Sequence, residues 1–425
     1  MNNVLVFPCG SEVGLEINRA LAHSIHFTLY GGNSIDDHGI FVYKNYISGL
    51  PFIDKPGFIE ALNKIIEEYS IDFIIPANDS AVLKMAENQS IVKAPIVTSC
   101  VDTCKICRSK QMTYEVLCKL IPTPKVYDKK GIMNFPIFLK PDVGQGSKGA
   151  FKVNSQQELN FYCKKDSTLL VLEYLPGKEY TVDCFTNRKG KLLFAEGRER
   201  ARICNGISIS CKPIHKSKFQ ELAEIINKTM SFQGVWFYQV KERANGELVL
   251  MEVAPRIAGT MALYRVLGVN FIQLSLFDRM GIDVSIVKNN FDMELDRALF
   301  ARYFIKVKFD YVYIDLDDTI IVNNAVNTDV IKFLYQAKNM GKKIIMLSKH
   351  KNDINDTFSK YAISNLLFDD VIIIEQSKNK SDYIKKNISS IFIDDSFAER
   401  KNIFDKLNIP VFGVDAVESL LNWKF

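Results

Sequence analysis

Residues 311–319 read Tyr-Val-Tyr-Ile-Asp-Leu-Asp-Asp-Thr, an apolar run that ends in a cluster of carboxylates. The run predicts a buried strand, and the first acids after it fall at its carboxyl end. Open α/β sheets place their ligands there. Asp315 and Asp317 stand two apart, and Thr319 two further on. Acids crowded at one strand tip repel one another. Water can solvate them in a turn, or a divalent cation and a phosphate can balance them in a site.

The flanking sequence extends the pattern. Lys343-Ile344-Ile345-Met346-Leu347-Ser348 predicts a second strand, ending in a hydroxyl. Val371 to Ile374 predicts a third, followed by Lys378 and Lys380. Ser390-Ile391-Phe392-Ile393-Asp394-Asp395 predicts a fourth, ending in two more acids. A lone acid after a strand is usually a turn or cap residue. Four strand tips in this order point instead to a site.

The order resembles the haloacid dehalogenase superfamily of phosphohydrolases, over about residues 309–425. The resemblance implies that Asp315 is the nucleophile that accepts the phosphoryl group as an acyl phosphate. It implies that Asp317 protonates the leaving oxygen and then activates water. Ser348 and one lysine, Lys378 or Lys380, would hold the phosphoryl oxygens. Asp394 or Asp395 would hold magnesium with Asp315, and Asp317 is counted in the same metal-binding set. A carboxylate attacks an anionic phosphate only where cations neutralise both. The short gaps between motifs leave no room for a sizeable cap domain.

The chain has 425 residues, enough for two or three domains, with 47% hydrophobic and 24% charged residues. A net charge of +5 is below what a dedicated nucleic-acid binder carries. Nine cysteines, the last at Cys211, form an odd set with no secretion signal, so reduced thiols and a cytoplasmic setting are expected. Cys100, Cys104 and Cys107 lack a nearby histidine and read as inert thiols rather than a zinc site. No stretch approaches the ~20 apolar residues of a membrane span.

The front of the chain opens with the apolar run Val4 to Phe7 and a glycine-containing turn, Pro8 to Gly14, before a helical stretch. This reads as a tight strand-to-helix turn. Strands and helices alternate to about residue 100, indicating a small doubly wound domain. Lys110 then starts a helix, and Lys140 ends an apolar strand that leads into Gly144-Gln145-Gly146-Ser147-Lys148-Gly149. Such a loop, rich in exposed amides and positive charge, wraps polyphosphates. Two later runs, Gly234 to Lys241 and Glu247 to Val253, flank the turn Ala244-Asn245-Gly246 and predict a hairpin. Gln239 and Glu252 would project from its two strands to one side, as oxygen ligands suited to magnesium. Arg198, Arg200 and Arg202 alternate and share a strand face.

These pieces resemble an ATP-grasp enzyme of the carbamoyl-phosphate-synthase-like branch, over about residues 1–307. The resemblance implies that Lys110 and Lys140 bind ATP phosphates and that the loop with Gly144, Gly146, Ser147 and Gly149 closes over them. Glu173 and the adjacent Tyr174 and Leu175 would meet adenine through backbone groups, and Glu179 the ribose. Gln239 and Glu252 would hold Mg2+, with Mn2+ as a substitute. Arg256 would steady the substrate carboxylate or the transferred phosphoryl group. Ala254 stands where the family carries an asparagine ligand. A water or another side chain fills that position, or the second metal is held more weakly.

The expected architecture is thus α/β with an α+β middle. It has a Rossmann-like domain over 1–105, a two-lobed ATP-grasp domain over 106–307 and a capless haloacid-dehalogenase-like Rossmannoid domain over 308–425. Residues 298–305 are expected to form a strand that closes the ATP-grasp part. The expected activity is bifunctional. One part is an ATP-dependent carboxylate–amine ligase working through an acyl phosphate. The other is a magnesium-dependent phosphohydrolase acting on a related phosphorylated metabolite. A kinase for a small acceptor and an ATP-sensing module that regulates the phosphatase are the alternatives. Partners would be small molecules and, in an assembly, further copies of the chain.

Overall fold

The structure is a computed structural model that describes every residue except 130–133, 145, 147, 205, 304 and 425. It divides into two compact units, Met1–Leu299 and Phe300–Lys424.

The front unit begins with a four-stranded parallel sheet in the order Asn45–Ile47, Phe27–Gly32, Asn2–Phe7, Phe73–Pro76. Helix Phe58–Glu68 buries Phe58, Ile59, Leu62 and Ile66, one apolar stripe at helical spacing, among the core around Leu5, Phe7 and Ile74. Ser11 and Asn78 cap helices Glu12–Leu21 and Asp79–Glu87, their side chains accepting from Gly14 N and Ala81 N. Gly14 is needed for a packing reason: a Cβ there would lie 2.3 Å from the Cys9 carbonyl oxygen.

Two antiparallel sheets follow. The smaller has the order Phe151–Val153, Ile137–Pro141, Leu169–Glu173. The larger has six strands: Leu248–Ala254, Gly234–Glu242, Glu179–Thr186, Leu192–Cys204, Ile207–Ile214 and the two-residue Leu295–Asp296. Helix Ser217–Thr229 covers one face with Phe219, Leu222, Ala223 and Ile226, packed with Trp236, Tyr238 and Val182. The predicted hairpin is present, with Gln239 directly opposite Glu252. The next pair is Val240 with Leu250, so Met251 is the extra residue of a β-bulge.

The strand expected over 298–305 is absent among its described residues. Pairing stops at Leu295 and Asp296 opposite Cys211 and Ser210. Leu299 is fully exposed and Phe300 half exposed, so there is no burial to reward a longer ladder.

The second unit is a five-stranded parallel sheet, ordered Asp370–Ile373, Lys343–Ser348, Tyr311–Ile314, Ser390–Ile393, Val411–Phe412. Its central strands alternate between two cores. Val312, Ile314, Ile344, Met346, Ile391 and Ile393 face one. Tyr313, Ile345, Leu347 and Phe392 face the other. A sheet buried on both faces reads as continuous apolar runs, which is why these strands stood out in the sequence. Among the described residues of the chain, no single helix is long and apolar enough to cross a membrane.

Candidate functional sites

In the front unit, a cavity of about 150 Å³ lies between the small and large antiparallel sheets. Lys140 reaches it from strand Ile137–Pro141, and Lys110 from the first turn of helix Lys110–Leu117. Gly144, Gly146, Glu179, Gln239 and Glu252 line the same space. Gly149, at φ 73°, ends the loop, where a Cβ would lie 3.1 Å from Pro141 Cγ. Ser147 lies outside the described residues.

The bulge shapes this cavity. The Met251 carbonyl accepts from Lys140 Nζ at 3.1 Å and from the Tyr114 hydroxyl at 2.8 Å. Lys140 is nearly fully buried, and burial outweighs the attraction of Glu252 to lower its pKa to about 7. Burial likewise lowers Lys110, whose amine donates to the Asp142 carbonyl at 3.0 Å. Both cations are short of compensating charge, as a polyphosphate site requires. Gln239 and Glu252 offer neighbouring hard oxygen donors, a set that fits magnesium once phosphates and water complete the shell. Ala254 closes the same strand, buried and without a donor side chain.

The remaining front residues sit farther out. Glu173 ends the small sheet and is held by Arg243 at 2.7 and 2.8 Å, which keeps its carboxyl below the ordinary range. Leu175 is buried, and Lys152 lies 4.5 Å over the Tyr174 ring. None of these three side chains lines the cavity.

A second chamber of about 230 Å³ shares Gly146, Arg200, Gly206, Gln239 and Glu252 with the first. Arg256 borders it, in bidentate contact with Asp79 at 2.6 and 2.8 Å. Burial works against the Asp79 charge, but Arg256 outweighs it and holds the carboxyl below its usual value. The arginine row does not present one uniform face. Arg198 is buried on Asp183, Arg200 is buried beside Glu179, and Arg202 is exposed near Asp296.

Sequence reading missed Phe138, Lys241 and Met251 as cavity walls. Phe138 stands two residues from Lys140 and Lys241 two from Gln239, so strand alternation was the available signal. Met251 had none, because a bulge moves it out of phase.

In the second unit, Asp315, Ser348 and Asp394 stand at the carboxyl ends of three adjacent parallel strands. Lys380 arrives from the short 3-10 turn Lys380–Tyr383 and lies 2.9 Å from Asp315 and 2.6 Å from Asp394. It is almost fully buried; burial opposes its charge, but the two acids outweigh burial and raise its pKa. Lys378 stays exposed. The lysine at the cluster is therefore Lys380, and the expectation for Lys378 is corrected. Lys378 precedes the turn and faces water, whereas Lys380, the turn's first residue, faces in.

Asp315, Asp394 and Asp395 bring ligand oxygens within 4.8 Å of one another. Among the described residues this is the one cluster of acidic, histidine or cysteine groups with that geometry. Burial, then the Asp315 charge, raises Asp394 to about 6. Asp315 Oδ1 and the Ser348 hydroxyl are buried without an aligned hydrogen-bond partner. An acidic trio with a buried lysine and a buried hydroxyl beside it fits a divalent ion and an anionic group. Asp317 is outside the trio. Its half-exposed carboxylate meets His350 Nδ1 at 2.9 Å, beside a polar groove that includes Asn323, Asn352 and Asp356. The expectation that Asp317 supplies a metal ligand is corrected, because this contact turns its carboxylate to the groove.

Comparison with known proteins bears on the front unit. Residues 165–296 match the family described as "ATP-grasp in the biosynthetic pathway with Ter operon". The chain is 28% identical over 176 residues to the carbamoyl phosphate synthase large chain of Thermoanaerobacter sp. (strain X514), covering 37% of this chain and 16% of that protein. It thus spans about a sixth of the length of that relative. The biotin carboxylase–βγ-ATP complex from Campylobacter jejuni superposes with a TM-score of 0.56 at 14% identity, covering 67% of this chain and 72% of that one. The L-amino acid ligase from Bacillus licheniformis superposes with a TM-score of 0.53 at 16% identity, covering 65% and 73%. The chain contains an ATP-grasp domain, and the cavity described above lies within the unit that carries it.

Proposed function

We propose that the front unit is an ATP-dependent carboxylate–amine ligase. Lys110, Lys140 and the Gly144–Gly149 loop hold the nucleotide phosphates, Gln239 and Glu252 hold magnesium, and Glu179 takes the ribose. Glu173, Tyr174 and Leu175 border the adenine end. The carboxylate acceptor occupies the second chamber near Arg256. Magnesium supplies charge neutralisation at the transferring phosphoryl group. The chain's own residues place the acceptor oxygen in line and exclude water. An amine then displaces phosphate from the acyl phosphate. The observation that carries this reading is the convergence of Lys110, Lys140, Gln239 and Glu252 on one cavity. ATP incubated with pooled amino acids and sugar acids should yield ADP and a new amide by mass spectrometry. Absence of any acceptor-dependent ADP counts against it.

The second unit is read as a phosphohydrolase for a phosphorylated metabolite. Asp315 is the nucleophile, Asp317 the acid and then base, and Ser348 and Lys380 hold the phosphoryl oxygens. Asp315, Asp394 and Asp395 hold magnesium. The placement of Lys380 between Asp315 and Asp394 supports this. Magnesium-dependent release of phosphate from p-nitrophenyl phosphate, lost in Asp315→Asn, is the expected outcome.

A further inference from the structure

Three arginines border the acceptor chamber, Arg198, Arg200 and Arg256. They differ in how completely their N–H groups are used. A guanidinium has five N–H donors in a fixed fork. Arg198 is closed: Nε and Nη2 meet Asp183 at 2.7 and 3.1 Å, and Nη1 meets the Thr260 hydroxyl at 2.5 Å. Arg256 is closed too, with Asp79 on one edge and the Ile257 carbonyl 2.9 Å from Nη1.

Arg200 is different. Its side chain is only 8% exposed, and its Nε lies 2.8 Å from Glu179 yet has no aligned hydrogen-bond acceptor. Nη2 donates to the Gly206 carbonyl at 2.9 Å. Of the three, it alone lines both the nucleotide cavity and the acceptor chamber. A buried charge with an unfilled donor is costly unless a ligand completes it.

We infer that Arg200 is a catalytic residue that grips the phosphoryl group as it moves from ATP to the acceptor carboxylate. This rests on the ligase reading of the front unit. In the step, an acceptor carboxylate oxygen forms a bond to the γ-phosphorus. The bond from phosphorus to the β–γ bridging oxygen breaks, and its electron pair leaves on ADP. No proton moves. Negative charge spreads over the three equatorial oxygens during transfer, and a guanidinium beside them can meet that charge with its remaining N–H donors.

The test compares Kd for MgADP alone with Kd for MgADP plus aluminium fluoride, a planar phosphoryl mimic, by calorimetry on the full chain. Wild type should bind the pair at least tenfold more tightly than MgADP alone. Arg200→Met should lose that gain while its MgADP Kd stays within about threefold. Arg200→Lys should keep part of the gain, and the Tm of each variant shows whether it folds. Undiminished tightening in Arg200→Met overturns the inference. So does an equal loss of MgADP binding, which would mark Arg200 as a wall of the nucleotide cavity only. Wild type that binds MgADP but gains nothing from fluoride overturns it as well. Wild type that does not bind MgADP overturns the ligase reading beneath it.

Discussion

Lys140 and Lys380 are both buried lysines near strand ends, and their environments push them in opposite directions. Lys140 has a carbonyl and an aromatic ring for company, and burial takes its pKa down to about 7. Lys380 has two carboxylates within 3 Å and is held above the ordinary lysine range. Burial alone therefore does not set the charge of a buried amine; the nearest partner does. The first arrangement leaves a cation waiting for an anion. The second fixes a cation among acids that would otherwise repel.

The sharpest way to break this contrast is at the acids. Asp315→Asn should lower phosphate release about a thousandfold or more, because a carboxamide is no nucleophile. Steady-state kinetics with p-nitrophenyl phosphate checks this, and a modest loss would remove Asp315 from the chemistry. Lys140→Met should lower acceptor-dependent ADP formation by about 10²–10³-fold, the usual cost of one preorganised charge aimed at a transferring group. An unchanged rate would mean the waiting cation is idle.

The lowered Lys140 pKa also sets a pH dependence. Phosphate binding favours the charged amine, which the free protein loses as pH rises through about 7. MgADP affinity should therefore fall by up to about tenfold per pH unit above 7. Calorimetry at pH 8 in buffers of different ionisation enthalpy should show proton uptake, and Lys140→Met should abolish it. The smallest effect is expected at Lys378→Ala, within about twofold on phosphate release. A large loss there would move the cationic role to the exposed turn.

Much of both sites was legible in the sequence. Strands buried on both faces, such as Lys343–Ser348 and Ser390–Ile393, announce themselves as apolar runs, and their first polar residue marks the tip. The hairpin turn at Ala244-Asn245-Gly246 was enough to pair the strands that carry Gln239 and Glu252, but counting from the turn sets Gln239 against Met251, and only the bulge brings Glu252 opposite. Lys378 and Lys380 could not be separated, because a 3-10 turn has neither the period nor the apolar stripe that assigns a face. Arg198 and Arg200 likewise look alike in sequence. What distinguishes them is whether Asp183 or Glu179 presents an aligned edge, and that depends on side-chain orientation across the adjoining strand Glu179–Thr186, which residue types alone do not set. The stretch 298–305 misled because an apolar run was taken for a strand where Leu299 and Phe300 stay exposed.

The bulge at Met251 bears on how the front pocket tolerates mutation. The oxygen that seats Lys140 belongs to the main chain, so no amino-acid exchange at position 251 deletes it. What anchors the amine is the count of residues between the 243–247 turn and Glu252, not their chemistry. Drift in side chains there should be harmless to the anchor, whereas one residue gained or lost would rotate the acceptor away and silence the pocket.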